Sequence, residues 1–249
     1  MKDDKALVIL SGGQDSTTCL FWAKTAFGEL HALTFDYNQR HRREVESALI
    51  VAQMAGVTTH EIIKLGPLLK GRSPLTDHAA ALETYQDYSS MDKIIGDRVE
   101  LTFVPMRNAL FLTVAANRAI VLGCRDIVAG VCEQDNANYP DCRNEFINSQ
   151  EETINHALGR DEIIIHTPLM RLTKAKTVQL AMTFPGCMEA LAYTHTAYDD
   201  GYPPTGKDHA STLRAQGFLE AGVPDPLVVR AWREGLMELP NTANYQKIP

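Results

Sequence analysis

The sequence predicts an α/β protein, a doubly wound parallel sheet of about five strands with a small helical subdomain at its C-terminal end. Three observations carry this. Short apolar runs alternate with segments of helical period up to about residue 184. The first run, Ala6 to Leu10, is continuous rather than alternating, as suits a strand buried on both faces, and it ends in Ser-Gly-Gly. From Pro185 the rhythm gives way to Gly, Pro, His and Asp.

The elements follow in order. After the first strand, residues 16 to 27 carry Cys19, Leu20, Trp22, Ala23 and Phe27 at helical spacing. His31 to Phe35 is the second strand. Residues 44 to 55 form a second helix with Val45, Leu49, Ala52 and Met54 roughly on one side, and His60 to Lys64 is the third strand. Residues 65 to 100 hold Gly66, Pro67, Gly71, Pro74 and Gly96 and read as an irregular insertion or lid beside the site. Further strands are expected at Leu101 to Val104, Asp126 to Val131 and Ile163 to His166. Helices are expected over 108 to 122, 146 to 158, 174 to 184 and 211 to 221. The division is residues 1 to 184 as the main α/β domain and 185 to 249 as a C-terminal subdomain.

Composition narrows the function. The chain has 249 residues, 45% hydrophobic, enough for a substantial core, and a formal net charge of -7. Such a charge disfavours nucleic acid as a partner, since phosphate contacts need clustered Lys and Arg and the one basic cluster, Gln39 to Arg43, is short. Five scattered cysteines without a CxxC pair argue against a disulfide framework and for a reducing, cytoplasmic setting. Ala6 to Leu10 is too short for a signal peptide or membrane span.

The strongest local signal is strand, then Ser11-Gly12-Gly13-Gln14-Asp15-Ser16-Thr17-Thr18, then helix. The glycines let the backbone turn and present N–H groups to an anion, and the helix start adds its own free donors and positive dipole end. Ser11, Ser16 and Thr17 offer hydroxyls to phosphate. Asp15 would repel phosphate unless it holds Mg²⁺ against it. The plain alternative is a turn in which Asp15 or Ser16 caps the helix. No GxxxxGK[ST] motif is present, so the loop is not a Walker A loop.

The SGGxDS pattern resembles the PP-loop of ATP pyrophosphatases, which cleave ATP between the α and β phosphates and adenylate an oxygen of their substrate. Leu33-Thr-Phe-Asp-Tyr-Asn-Gln-Arg-His41, Phe103-Val-Pro-Met-Arg-Asn108, Tyr139-Pro-Asp-Cys-Arg143 with Glu145-Phe-Ile147, Leu172-Thr-Lys174 and Leu213-Arg-Ala with Ala221-Gly-Val-Pro-Asp225 resemble ordered segments of the 7-cyano-7-deazaguanine synthase (QueC) family. The resemblance spans about residues 6 to 226.

It implies ATP and Mg²⁺ as cofactors, a deazapurine acid, 7-carboxy-7-deazaguanine, as the small-molecule substrate, and an amide formed with ammonia that goes on to the nitrile. It also implies a homodimer, to which the apolar tail Leu227 to Trp232 is a candidate contributor. The ATP-binding set is Leu10, Ser11, Gly12, Gly13, Gln14, Asp15, Ser16, Thr17, Arg40 and Asn108. Arg40, Arg107, Arg143 and Lys174 supply the cations that an acid beside a triphosphate requires. Glu133, Asp135 and Asp141 suit a guanine-like edge, with Tyr139 to stack on the base and Arg143 beside it.

One stretch departs from the family. Its four zinc-binding cysteines correspond here to Ala197, Thr205, Asp208 and Ser211, so zinc is not expected. The vacated positions suggest room for a larger nucleophile, which makes a protein amine a second candidate acceptor, with Asp208 to bind or deprotonate the incoming ammonium. The catalytic expectation is therefore Asp15, Ser16, Arg107, Lys174 and Asp208. The remaining alternative is a non-catalytic module that binds nucleotide or deazapurine.

Overall fold

The computed structural model describes residues 4–134, 137–246 and 248. Five parallel strands, β1 (Lys5–Ile9), β2 (Glu29–Asp36), β3 (Thr59–Lys64), β4 (Asp126–Val128) and β5 (Ile164–His166), form one sheet in the order β3-β2-β1-β4-β5. Ala6 pairs with Leu30 on one side and Asp126 on the other.

The continuous apolar run of β1 is explained by two helical layers. Ala6, Val8 and Leu10 face one core with Cys19 and Leu20 of α1 (Gln14–Ala26) and Ala48 and Val51 of α2 (Arg43–Ala55). Leu7 between them faces the other core with Leu112 and Ala115 of α4 (Arg107–Leu122) and Ile147 and Ile154 of α5 (Asn144–Leu158). Successive strand residues point to opposite faces, so only an unbroken apolar run satisfies both layers.

The chain winds outward from β1 to β3, then returns to place β4 on the other side of β1. The connections leaving β1 and β4 therefore diverge, and a crevice opens at the carboxyl edge between them.

Three expectations are corrected. Leu101 to Val104 is a turn, not a strand: the Phe103 N–H donates to the Glu100 carbonyl at 3.1 Å. The Glu100 carboxylate takes the Thr102 N–H at 2.6 Å, and Pro105 has no N–H, so the ladder donors are spent or missing. The strand at 126 stops at Val128 rather than Val131. The insertion at 65 to 100 is not wholly irregular. It holds α3 (Tyr88–Ile95), started by an Asp87–Ser90 capping box, and its Met91 and Ile95 pack on Leu213.

After α6 (Lys174–Met182) come α7 (Cys187–Leu191), α8 (His209–Ala221) and α9 (Pro226–Arg233). Leu191 and Phe218 from this C-terminal part join the same core as α1 and α2. Leu227, Val228 and Ala231 of α9 are buried within the chain, so the apolar face of this tail is spent internally. Among the described residues, no helix is long and apolar enough to cross a membrane.

Candidate active site

A cavity of about 500 Å³ occupies the crevice. Its floor is the loop between β1 and α1. Gly12 sits at φ +93°, and a Cβ there would strike the Glu44 carbonyl and lie 2.7 Å from the Ala48 nitrogen, so the turn accepts only glycine. The His195 N–H donates to the Gly12 carbonyl at 3.0 Å and ties the loop to the C-terminal segment. The Ser16 hydroxyl donates to the Gly13 carbonyl at 3.2 Å and accepts from the Ser11 N–H at 3.2 Å. The Gly13 N–H donates to the Ser11 hydroxyl at 3.2 Å. The loop is thus held in shape by its own hydroxyls, with the start of α1 behind it.

Lys174, the first residue of α6, crosses to the loop and donates from Nζ to Asp15 Oδ2 at 2.8 Å. Its aliphatic stem is pinned by α8, where a Cβ on Gly217 would collide with it. Lys174 is therefore aimed by packing as well as by charge.

The opposite wall is aromatic. Phe35, at the end of β2, stacks on Phe111 of α4 with centroids 4.1 Å apart and planes 8° from parallel. Tyr37 meets Phe111 edge-on at 5.5 Å, and Arg107 donates from Nη1 to the Tyr37 hydroxyl at 3.3 Å. Tyr139 hydrogen-bonds the Thr102 hydroxyl and lies 3.3 Å from a Glu100 oxygen. Burial pushes Tyr139 and Tyr198 up, so both remain protonated.

The expected site residues divide. Leu10, Ser11, Gly13, Gln14, Asp15, Ser16, Arg107, Asn108, Glu133, Tyr139, Arg143 and Lys174 all border this cavity. Glu133 also accepts the Asn144 N–H at 3.2 Å at the start of α5.

Gly12 and Thr17 lie behind the loop, packed against the core. Arg40 faces away and donates to the carbonyls of His78 and Ala80 at 2.8 and 2.7 Å, fastening the insertion. Asp141 is buried outside the cavity, where its carboxylate accepts the Asn108 N–H at 3.3 Å and serves the start of α4. Burial raises its pKa, against the pull of nearby Arg107. Asp208 is likewise turned away: it caps α8, accepting the Ser211 N–H at 3.1 Å and the Ser211 hydroxyl at 2.6 Å. Asp135 lies outside the described residues.

The structure also brings to the cavity residues outside the expected ATP-binding and substrate-binding sets. His41 pairs with Glu44 at 2.8 Å, and its ring leans on Tyr198 at 5.3 Å. His195, Thr196, Tyr198 and His209 reach the wall from the C-terminal segment. His41 stood inside a quoted motif and was findable. The others come from residues more than 150 positions after the loop, with no local pattern to mark them.

The family model described as queuosine biosynthesis protein QueC matches residues 5–222. The chain belongs to the QueC family. A Gloeobacter violaceus protein named 7-cyano-7-deazaguanine synthase is 52% identical over 227 residues, covering 90% of this chain and 95% of that protein. A Laribacter hongkongensis protein of the same name is 47% identical over 229 residues, covering 91% and 95%. One from Bacillus subtilis is 41% identical over 224 residues, covering 88% and 96%.

Within this QueC chain, the positions Ala197, Thr205, Asp208 and Ser211 do not fit a tetrahedral zinc ion. Ala197 is a buried methyl whose carbonyl accepts from His195 Nε2 at 2.7 Å. Thr205 donates to Asp199 at 3.1 Å, and Asp208 is engaged with Ser211. Hydrogen bonds and the helix cap occupy what four thiolates would need. Among the described residues no group of three or more His, Cys, Asp or Glu is arranged to hold a metal.

Three buried polar atoms on the cavity wall have no hydrogen-bond partner among the described residues: Gln14 Nε2, His41 Nδ1 and His209 Nε2. Buried polar groups are normally paired, so a wall that leaves three open is shaped for a polar ligand.

Proposed function

We propose that this QueC chain uses ATP to adenylate the carboxylate of 7-carboxy-7-deazaguanine and passes the acyl group to ammonia. A carboxylate oxygen attacks the α-phosphorus, the bond to the β-phosphate oxygen breaks, and pyrophosphate leaves. Ammonia then attacks the acyl carbon, loses a proton, and AMP departs to give the amide. A second ATP activates the amide oxygen, and loss of AMP with the two amide protons yields the nitrile that the relatives' name describes.

The observation that carries this reading is Lys174 held 2.8 Å from Asp15 on the wall of the loop. A cation and a carboxylate facing one anion-binding turn suit a triphosphate, with Lys174 on the phosphate charge. Asp15 suits the hard cation that accompanies ATP, and Mg²⁺ there supplies neutralisation of the phosphate oxygens. The hydroxyls of Ser11 and Ser16 and the donors at the start of α1 cradle the leaving pyrophosphate. Across the cavity, the Phe35–Phe111 stack, Tyr139 and Arg107 offer flat apolar faces and a fixed positive charge for a heterocyclic acid.

The test is pyrophosphate release from ATP and Mg²⁺ with 7-carboxy-7-deazaguanine, with products read by mass spectrometry with and without ammonia. Acid-dependent release that ends in amide or nitrile supports the reading. Release that stalls at the adenylate points to another amine acceptor, and no release sinks it.

A further inference from the structure

Asp208 and His209 are neighbours at the start of α8, and they do different things. The Asp208 carboxylate is consumed as the helix cap. His209, the first helical residue, lines the cavity together with Ala210 and Leu213 of the same helix. It is 4% exposed, and its Nε2 is fully buried without a hydrogen-bond partner among the described residues. Leaving a buried nitrogen unpaired is unfavourable. A ligand in the cavity that bonds to this nitrogen would remove that cost.

The location says what enters. Gln14 and the loop N–H groups belong to the floor, where the phosphates go. His209 comes instead from α8, which packs on the Lys174 stem through Gly217. Lys174 and Glu100 are the charged groups that act on its ring, and Glu100 in turn lies beside the Tyr139 hydroxyl. His209 thus lines the same cavity as the Lys174–Asp15 pair and Tyr139.

We infer that His209 is a substrate-binding residue for the acid: its Nε2 hydrogen-bonds the deazapurine carboxylic acid beside the reacting carboxyl and sets affinity for that acid rather than for ATP. An imidazole nitrogen can meet either an acyl oxygen or a ring N–H, and both lie on the acid. This rests on the adenylation reading above.

The experiment uses the full chain as wild type, His209→Leu and His209→Gln, measuring acid-dependent pyrophosphate release with each substrate varied in turn. His209→Leu is expected to raise KM for the acid roughly tenfold, while KM for ATP stays within about twofold. His209→Gln places an amide at the same reach and is expected to return acid KM to within about threefold of wild type. An unchanged acid KM in His209→Leu overturns the inference. So does an equal loss for both substrates, which marks a structural role.

Should the leucine variant fail to fold, the wild-type His209 imidazole ¹⁵N resonance, assigned by its loss in His209→Gln, carries the test. A shift on adding the acid is expected, and none overturns it. A wild type that shows no acid-dependent release sinks the adenylation reading and this inference together. A wild type that does, beside an unaffected His209→Leu, sinks only the role of His209.

Discussion

Lys174 Nζ and Asp15 Oδ2, 159 residues apart in sequence, lie 2.8 Å apart across the phosphate-loop side of the cavity. Each supplies the counter-charge that the other needs in the partly buried wall. On the function proposed above, the pair offers charges of both signs, Lys174 to the phosphates and Asp15 to their accompanying cation.

Lys174→Ala is expected to lower pyrophosphate release on the order of 10²–10³-fold, the range for removing one group aimed at developing charge. Steady-state release at saturating ATP and acid checks this. Asp15→Asn should fall by a similar factor, and a loss under about tenfold in both would remove the pair from the reaction.

A zinc chelator is expected to leave thermal stability unchanged, with a Tm shift under about 1 °C in excess EDTA. The segment from 197 to 211 is held by the Asp208–Ser211 and Thr205–Asp199 hydrogen bonds, which a chelator does not touch. Differential scanning calorimetry with and without chelator reads the difference. A fall of several degrees would mean that this segment holds a metal after all.

Asp225→Ala is expected to cost about 3–5 kcal/mol, because it strands a buried cation. Arg214 makes two bonds to Asp225, at 2.7 and 2.8 Å, and two more to the hydroxyls of Thr194 and Thr196. These residues flank His195 on the cavity wall, so activity should fall with stability. Replacing both partners by apolar residues, as Arg214→Met with Asp225→Leu, should cost less than Asp225→Ala alone. Urea denaturation of the three proteins tests that order.

Stability is expected to fall as the pH drops below about 6.5. Burial lowers the pKa of His195, and it lowers that of His209 to about 4. A histidine with a folded pKa below its unfolded value takes up its proton more readily when unfolded. Its contribution is intact above the ordinary value near 6.5 and is lost as the pH falls toward 4. Urea midpoints across this window should decline for wild type and less steeply for His209→Gln. Parallel profiles would show that His209 keeps its ordinary pKa.

The sequence alone determined the α/β class, the strand-loop-helix built on Ser11-Gly12-Gly13, and the family. These are local facts. A continuous apolar run needs two covering layers, a Ser-Gly-Gly turn needs a left-handed glycine, and ordered motifs survive along a chain whatever their distance in space.

Tertiary structure decided which polar residues face the cavity. Asp208 and His209 differ by one position, and the cap geometry of α8 sends one into a hydrogen bond with Ser211 and the other to the cavity wall. Arg40 and Asp141, plausible ligands by residue type, are spent on the carbonyls at 78 and 80 and on the start of α4. The Leu101 to Val104 segment had strand composition, but the carboxylate of Glu100 took the backbone donor that a ladder requires. In each case a side chain or backbone group had two feasible partners, and the choice depended on long-range packing that no local pattern encodes.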